Sequence, residues 1–296
     1  MAEVEAVQAE ETRVDKRKAT EYKTDLKPIW CPGCGDFGAL TAFYNAFAEV
    51  GIDTKDVAII SGIGCSGRFG YFIKSYGFHV VHGRVLPIAM GTKVANPDLH
   101  VFGISGDGDA LAIGGGHIPH MARRNLKMVY VILDNAIYGL TKGQASPTSP
   151  EVMKTGTTPT GGFEKPLDPV LLMLAYGATF VARGYTAKYK AVSDLIVKAM
   201  SHNGFAVIHA ISPCPVFNKN VTFKSVSQLV EDIPEDHDIT DRMKAMELAL
   251  DKDKIHLGLF YQIEEPSLED KLGLQDRYAM KIDSTARMND LLERFQ

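Results

Sequence analysis

Short apolar segments alternate with longer amphipathic ones through most of this chain. Compact runs rich in Val, Ile and aromatic residues predict buried strands at Val57–Ile60, Val101–Ile104, Met128–Leu133, Ala178–Val181 and Phe205–His209. Apolar residues at helical spacing predict helices near 35–50, 110–124, 168–176 and 187–202. Because strands and helices alternate, we predict an α/β, doubly wound fold with a mainly parallel sheet covered on both faces.

Residues able to carry chemistry follow several of these strands. Cys65, Asp107, Asn135 and Cys214 each come just after a predicted strand. Ligands of such sheets bind beyond the carboxyl ends of the strands, so we expect these side chains to meet at one edge. A segment of about thirty residues, 135–166, is dense in Gly, Thr, Ser and Pro, and loops of that length are usually functional or disordered.

The two ends of the chain differ from its middle. The first residues are rich in Glu, and the sequence beyond Asn220 is charged, with amphipathic segments at 240–251 and 284–294. We therefore predict a flexible tail over 1–24, a cofactor-binding domain over 25–220, and a C-terminal extension over 221–296. The extension is expected to pack on the domain or on a partner chain, at a subunit interface.

Composition narrows the class of protein. The chain has 296 residues, 45% of them hydrophobic, and a net charge of −4, which gives no support for nucleic acid or an anionic membrane as partner. No apolar run is long enough to span a bilayer, and the N-terminus lacks the apolar core of a secretory signal. Four cysteines in so long a chain do not make a disulfide framework, so we expect a cytoplasmic protein.

The four cysteines form one pattern. Cys31 and Cys34 are a close pair in Cys-Pro-Gly-Cys, while Cys65 and Cys214 are distant singles among Gly, Ser and Pro. Four thiolates hold an iron–sulfur cluster and need not be contiguous. A structural zinc site usually presents two close pairs. The pattern favours a cluster, with zinc and unrelated free thiols as the alternatives.

A second pattern is Gly106-Asp-Gly-Asp109, between a strand and a helix. A Gly-rich turn presents backbone N–H groups to phosphate, but an acidic turn repels phosphate unless a cation lies between them. Asp107 and, after the next strand, Asn135 can supply oxygen ligands to Mg²⁺, which would bridge to a diphosphate. The alternative is an ordinary turn.

Together these motifs resemble a known family. The quoted segments are Trp30-Cys-Pro-Gly-Cys-Gly35, Gly62-Ile-Gly-Cys-Ser66, Gly106-Asp-Gly-Asp109 and Asp134-Asn-Ala-Ile-Tyr-Gly-Leu-Thr-Lys-Gly143. They resemble the β subunit of 2-oxoacid:ferredoxin oxidoreductases over roughly residues 25–220. Within that family, the segments 82–87 and 138–144 look most like the branch that uses 2-oxoglutarate.

The resemblance implies a sheet of the thiamine diphosphate-binding type and a set of site residues. It implies one 4Fe–4S cluster on Cys31, Cys34, Cys65 and Cys214, and Mg²⁺ on Asp107, Asn135 and the carbonyl of Ile137. The positions that match contacts to thiamine diphosphate are Ile63, Gly64, Cys65, Ser66, His82, Gly108, Asp109, Gly139 and Leu140.

The implied reaction decarboxylates 2-oxoglutarate with coenzyme A to succinyl-CoA and CO2, reversibly, and passes electrons through the cluster to ferredoxin. The carboxylate that acts on the pyrimidine ring of thiamine lies in a separate domain in thiamine enzymes. Since this chain holds one doubly wound domain, the resemblance implies an α subunit and an αβ unit or a dimer of such units. The alternatives are a pyruvate or broad-specificity enzyme of the family, a non-redox thiamine enzyme subunit, and a zinc-stabilised binding partner.

Two cations are candidates for choosing the substrate. Arg68 lies three residues after Cys65, and Lys142 lies on the loop after Asn135. A guanidinium can hold the second carboxylate of 2-oxoglutarate with two parallel hydrogen bonds. The alternative for Arg68 is an ion pair within its own chain or with the α subunit.

Overall fold

The strands of the computed structural model, which describes residues 17–275 and 292–294, form one eight-stranded sheet. They are β1 (Val57–Ser61), β2 (Tyr76–His79), β3 (His100–Gly106), β4 (Met128–Asp134), β5 (Phe180–Tyr185), β6 (Phe205–Ile211), β7 (Val230–Asp232) and β8 (Ile255–Gln262). Their order across the sheet is β2-β1-β3-β4-β6-β5-β8-β7. From β2 to β5 in this order, the six strands run parallel to one another. β8 is antiparallel to β5, and β7 is parallel to β8.

The helices lie on both faces of this sheet. They are α1 (Asp36–Val50), α2 (Val85–Ala95), α3 (Ile118–Arg124), α4 (Pro169–Tyr176), α5 (Tyr189–Ser201), α6 (Phe223–Leu229), α7 (Arg242–Ala249) and α8 (Leu268–Leu272). Successive strand residues point to opposite faces, so Ile59 packs in one core with Phe43 of α1, and Ile60 packs in the other with Leu86 of α2. The predicted α/β doubly wound fold, with both faces of a mainly parallel sheet covered, is confirmed.

Two local predictions need correction, and two elements in the first half of the chain were not predicted. The strand predicted at 178–181 begins at Phe180, because Gly177 ends α4 in the left-handed region (φ 82°) and the chain must then turn. The helix predicted to run to about Arg124 is broken after the Gly-Asp-Gly-Asp turn, with a π turn at Asp109–Ile113 before α3 begins. The elements β2 and α2 were not predicted, since β2 is exposed along its length and α2 contains Pro87 and Gly91.

Both chain ends join the domain further than the sequence indicates. The flexible tail is wrong for residues 17–24, because Tyr22 is fully buried and its hydroxyl lies within hydrogen-bond distance of the carbonyls of Phe47 (2.8 Å) and Ile52 (2.7 Å). Residues 1–16 lie outside the described residues. The segment predicted at 240–251 contains α7, which contacts α4, and β8 extends the same sheet beyond β5. Most of the segment 284–294 lies outside the described residues.

The described helices are short compared with a bilayer. None within residues 17–275 and 292–294 is long and apolar enough to cross a membrane.

Candidate active site

One pocket at the carboxyl ends of β1, β3 and β4 collects the residues singled out by the thiamine motif. All nine positions expected to contact the cofactor line it, from Ile63 to Leu140. Asp107, Asn135 and Ile137, expected to hold Mg²⁺, line the same pocket. The strand order reverses between β1 and β3, where sheets of this kind bind ligands, so the topology explains this convergence.

Asp109 holds three segments of the pocket together. Its carboxylate accepts hydrogen bonds from Ile63 N (3.1 Å), Gly83 N (2.8 Å) and Ser105 Oγ (2.7 Å). Nδ1 of His82 lies 3.1 Å from Asp109 Oδ1 without hydrogen-bond alignment. With its carboxylate engaged in this way, Asp109 supports the pocket wall, and a contact of residue 109 with a cofactor would come from its backbone.

Asp107 and Asp134 are two buried carboxyl groups joined by one hydroxyl. Thr148 Oγ1 lies 2.9 Å from Asp107 Oδ2 and 2.8 Å from Asp134 Oδ1. A hydroxyl has a single proton and cannot donate to both carboxylates, so one of them must itself carry a proton. Burial, followed by the charge of Asp134, raises the pKa of Asp107 to about 7, whereas the pKa of Asp134 is lowered, so in the cation-free chain Asp107 holds a proton more readily than Asp134 does.

The turn after β4 is ordered by hydrogen bonds from its own backbone. Asp134 Oδ1 accepts from Ala136 N (2.8 Å), Asn135 Oδ1 accepts from Ile137 N (3.0 Å), and Ala136 is in the left-handed region (φ 53°). Asn218 Nδ2 donates to the carbonyl of Asn135 at 2.8 Å. This turn presents Asn135 and Ile137 to the pocket.

A buried series of hydrogen-bonded side chains holds Asp134, the residue at the start of that turn. Arg183 Nε donates to His209 Nδ1 (3.0 Å), and His209 Nε2 lies 2.8 Å from Asp134 Oδ2. Arginine has no acceptor, so Nδ1 of His209 must accept and Nε2 must carry the proton that is donated to Asp134. Burial pushes the pKa of Asp134 upward, but the bonds from His209 and Thr148 outweigh burial, and its pKa is lowered.

The four cysteines are free thiols, and two of them lie close to Gly139. A Cβ atom at Gly139 would lie 3.7 Å from Cys65 Sγ and 3.8 Å from Cys214 Sγ. Burial, followed by the charge of Asp36, raises the pKa of the Cys34 thiol, and Cys65 and Cys214 are close enough to add to that rise. Within the described part of the chain, no three His, Cys, Asp or Glu side chains are gathered closely enough to bind one metal ion.

Asp36 links the segment that follows Cys34 to the segment that precedes Cys214. It accepts a hydrogen bond from Ser212 Oγ (2.7 Å), and Gly35 N donates to the carbonyl of Pro213 (3.1 Å). Asp36 is buried, which raises its pKa to about 6 despite the bonds from Ser212 and Cys34. Burial, followed by the charge of Asp36, raises the pKa of Cys65 to about 11. The segments carrying Cys34 and Cys214 are therefore bound to each other without any metal.

Comparison with known families assigns this fold and pocket. Residues 62–210 match the family described as thiamine pyrophosphate enzyme, C-terminal TPP binding domain, and residues 214–276 match the C-terminal family of the pyruvate ferredoxin oxidoreductase β subunit. The chain is 41% identical over 262 residues to a 2-oxoacid:ferredoxin oxidoreductase β subunit of a Sulfolobus species, covering 82% of this chain and 85% of that one. This chain belongs to the family of 2-oxoacid:ferredoxin oxidoreductase β subunits.

Two further proteins are similar to this β subunit. The 2-oxoglutarate synthase subunit KorB of Methanothermobacter thermautotrophicus is 39% identical over 250 residues, which cover 83% of this chain and 87% of that one. A solved 2-oxoglutarate:ferredoxin oxidoreductase from Magnetococcus marinus, with 2-oxoglutarate, coenzyme A and succinyl-CoA bound, is 48% identical with a TM-score of 0.88. The match covers 94% of this chain and 97% of that chain. Membership makes the β subunit part of an oxidoreductase with ferredoxin as acceptor, implies an α subunit, and confirms a domain that binds thiamine diphosphate.

The two candidate substrate cations of the β subunit lie beside the pocket and outside its lining. Arg68 is half-buried one turn beyond Cys65, where its N–H donates to the carbonyl of Cys65 (3.3 Å). Lys142 is exposed on the loop that follows Asn135. Neither side chain forms an ion pair with a residue of the described chain.

Several polar residues that complete the site were not predicted from the sequence. Thr148, His209 and Arg183 contact the Mg²⁺ candidates or their turn only because distant segments meet. Asp36 could have been found, since a carboxyl group directly follows the Cys-Pro-Gly-Cys-Gly segment. No local pattern marks the other three.

Proposed function

We propose that this β subunit supplies half of the active site of a 2-oxoglutarate:ferredoxin oxidoreductase. The reaction joins the decarboxylation of 2-oxoglutarate to the formation of succinyl-CoA and the reduction of ferredoxin. The observation that carries the proposal is the meeting, around Gly139, of Asn135 from the thiamine motif with Cys65 and Cys214 from the cysteine pattern. Two cofactors that exchange electrons need this proximity.

Mg²⁺ and the diphosphate of thiamine fit the acidic half of the pocket. Asp107 is 2% exposed beside a second carboxyl group, and a divalent cation would supply the missing positive charge. Asn135 Oδ1 and the carbonyl of Ile137 would complete the protein ligands. When bound, thiamine diphosphate supplies a carbanion that attacks the ketone carbon and takes up the electrons left by decarboxylation. The residues of the chain bind the diphosphate, orient the cofactor and exclude water.

A 4Fe–4S cluster fits the cysteines better than a single ion does. Each thiolate of such a cluster binds a different iron, so the four sulfur atoms stand further apart than the ligands of one zinc ion. Cys65 Sγ and Cys214 Sγ both lie within 4 Å of one point beside Gly139, although they are about 150 positions apart along the chain, and this meeting of two distant thiols supports the cluster. The raised pKa of Cys65 means that iron must displace a thiol proton when the cluster forms.

An α subunit is needed to close the pocket. Its cavity is about 90 Å³, small compared with the roughly 300–1,000 Å³ of ordinary ligand sites. No Glu lies among its described lining residues, so the carboxylate that serves the pyrimidine ring would come from the partner. We propose an αβ unit or a dimer of such units in the cytoplasm. Residues 25–220 would bind the cofactors, and 221–296 would contact the α subunit.

The choice of 2-oxoglutarate is supported by free cations beside Cys65. Arg68 has no ion-pair partner in the described chain, so its guanidinium is available for the distal carboxylate. Lys142 is a second cation, on the loop that follows Asn135.

The test is the composition and turnover of the complex with its α subunit, prepared without oxygen. We expect about four irons and four sulfides per β subunit, as for one cubane cluster. With an artificial electron acceptor and coenzyme A, 2-oxoglutarate should be oxidised at a higher kcat/KM than pyruvate. Zinc in place of iron would overturn the redox role, and a preference for pyruvate would overturn the substrate assignment.

A further inference from the structure

The four cysteines differ in their exposure to solvent. Cys31 is exposed, Cys34 and Cys65 are half-buried, and Cys214 is only 7% exposed. The turn from Cys31 to Cys34 is closed by a bond from Cys34 N to the carbonyl of Cys31 (3.1 Å). Gly33 is left-handed there (φ 78°), and a Cβ atom on it would lie 3.9 Å from Pro215. The segments around Cys31 and after Cys214 therefore form one continuous face.

This face has apolar side chains between cations, and we call it the Cys31 face. Its exposed apolar members are Ile29 (68%), Phe37 (37%) and Val216 (41%). Two exposed lysines flank it along the chain: Lys27, four residues before Cys31, and Lys219, four residues after Pro215. Lys219 Nζ donates to the carbonyl of Pro215 (2.9 Å), which holds that charge beside the face. Lys27 forms no ion pair with any described residue, and Asp25 is the nearby exposed acid along the sequence.

We propose that the Cys31 face is the docking site of the electron acceptor, an iron–sulfur protein with acidic side chains around its own cluster. The inference rests on the proposed cluster. Electron transfer weakens steeply with distance, so an acceptor must bind where the donor has least protein above it, and that place is Cys31. An apolar centre with a charged rim is the usual composition of a transient interface.

The charge of the face suits this partner and contrasts with the whole chain. The net charge of the chain is −4, so an acidic acceptor gains no attraction from the chain as a whole and is attracted locally at the lysines. In each encounter one electron leaves the β subunit's cluster and reduces the acceptor's cluster by one electron. Two acceptor molecules therefore take the two electrons released by each decarboxylation.

The test compares two acceptors in the complex with the α subunit. Lys27→Glu and the double variant Lys27→Glu/Lys219→Glu are assayed with a purified acidic ferredoxin and with methyl viologen, a small dye that needs no docking face. At low salt we expect kcat/KM for ferredoxin to fall about tenfold or more in the double variant. Added salt should narrow the gap between variant and unaltered complex. Viologen reduction should be unchanged, while the Kd of oxidised ferredoxin for the complex, measured by titration without substrate, should rise about tenfold in the double variant.

Lys198→Glu is the matched control, since Lys198 is exposed in the last turn of α5, away from the cysteine segments. Ferredoxin reduction that is normal in the double variant, or lowered equally by the control, would overturn the docking site. Equal losses with both acceptors, or weakened binding of the α subunit, would overturn it too, because the lysines would then serve the cluster or the partner chain. An unaltered complex that does not reduce viologen would refute the proposed function itself.

Discussion

Removing the imidazole of His209 tests whether the buried polar chain positions the Mg²⁺ turn. His209→Leu leaves Arg183 Nε without its acceptor and Asp134 Oδ2 without its donor, whereas His209→Gln can in principle accept from Arg183 and donate to Asp134. We expect the leucine variant to be less stable and to bind Mg²⁺ and thiamine diphosphate more weakly. The glutamine variant should recover part of both losses.

The size of the stability loss follows from burial. The side chains of His209 and Asp134 are 7% and 10% exposed, so neither orphaned group can reach bulk water. Each orphaned polar group costs about 1–3 kcal/mol, and more when the group is charged, so the two together cost about 3–6 kcal/mol. Because Asp134 keeps its bonds from Ala136 N and Thr148, we take the lower end, about 3 kcal/mol. For a domain of this size that corresponds to roughly 6–10 °C in Tm.

The effect on the cofactor is separate from the effect on stability. Residues that support metal ligands from behind commonly change metal affinity about 10–100-fold, so we expect half-saturation with Mg²⁺, at fixed thiamine diphosphate, to shift about tenfold in His209→Leu. The single tryptophan, Trp30, donates to the carbonyl of Cys65 at 2.8 Å and can report binding by fluorescence. Thermal unfolding without cofactor measures the stability loss.

His256→Leu is the matched control. His256 is on β8, outside the pocket lining, and its Nε2 lies 2.8 Å from Asp251 Oδ2. It should lower Tm and leave the Mg²⁺ dependence as in the unaltered chain. An unchanged Mg²⁺ dependence in His209→Leu, or the same shift in both leucine variants, would refute the positioning role.

Three further predictions concern the proposed ligands and the substrate. Cys214→Ala should leave three thiolates and a labile cluster with little loss of thiamine diphosphate binding, measured by iron content and calorimetry; a full iron complement would exclude Cys214 as a ligand. Without a bound cation, Asp107 of the folded chain keeps its proton up to about pH 7, whereas in the unfolded chain the same residue loses it above its ordinary pKa. The free energy of unfolding should therefore decline, by the contribution of Asp107, as pH rises from about 4 through 7. Mg²⁺ with thiamine diphosphate should therefore raise Tm more at pH 8 than at pH 5.5, and Asp107→Asn should abolish that difference; a difference that persists would point to another group. Arg68→Ala should lower kcat/KM for 2-oxoglutarate by about 2–5 kcal/mol in activation free energy and affect pyruvate much less, while equal losses would assign Arg68 to the fold.

The class of fold and the two cofactor motifs could be predicted from residue patterns along the chain. Strands such as 128–133 can be predicted because a parallel sheet covered by helices buries both of their faces, which makes the segment apolar throughout. The Gly-Asp-Gly turn and the cysteine pattern could be recognised in the sequence because cofactor binding requires those residue types at those spacings. Their lying beyond strand ends also predicted that they would meet, and the pocket brings them together.

The hydrogen bonds and protonation states of these residues depend on contacts between distant segments, which form only when the chain folds. Thr148 bridges two carboxyl groups, Arg183 fixes the tautomer of His209, and Ser212 binds Asp36 across 176 positions of the chain. Such bonds leave no local signature, because each partner is an ordinary polar residue in its own segment. The protonation of Asp107 also depends on burial and on the nearby charge of Asp134, and both exist only after the chain has folded.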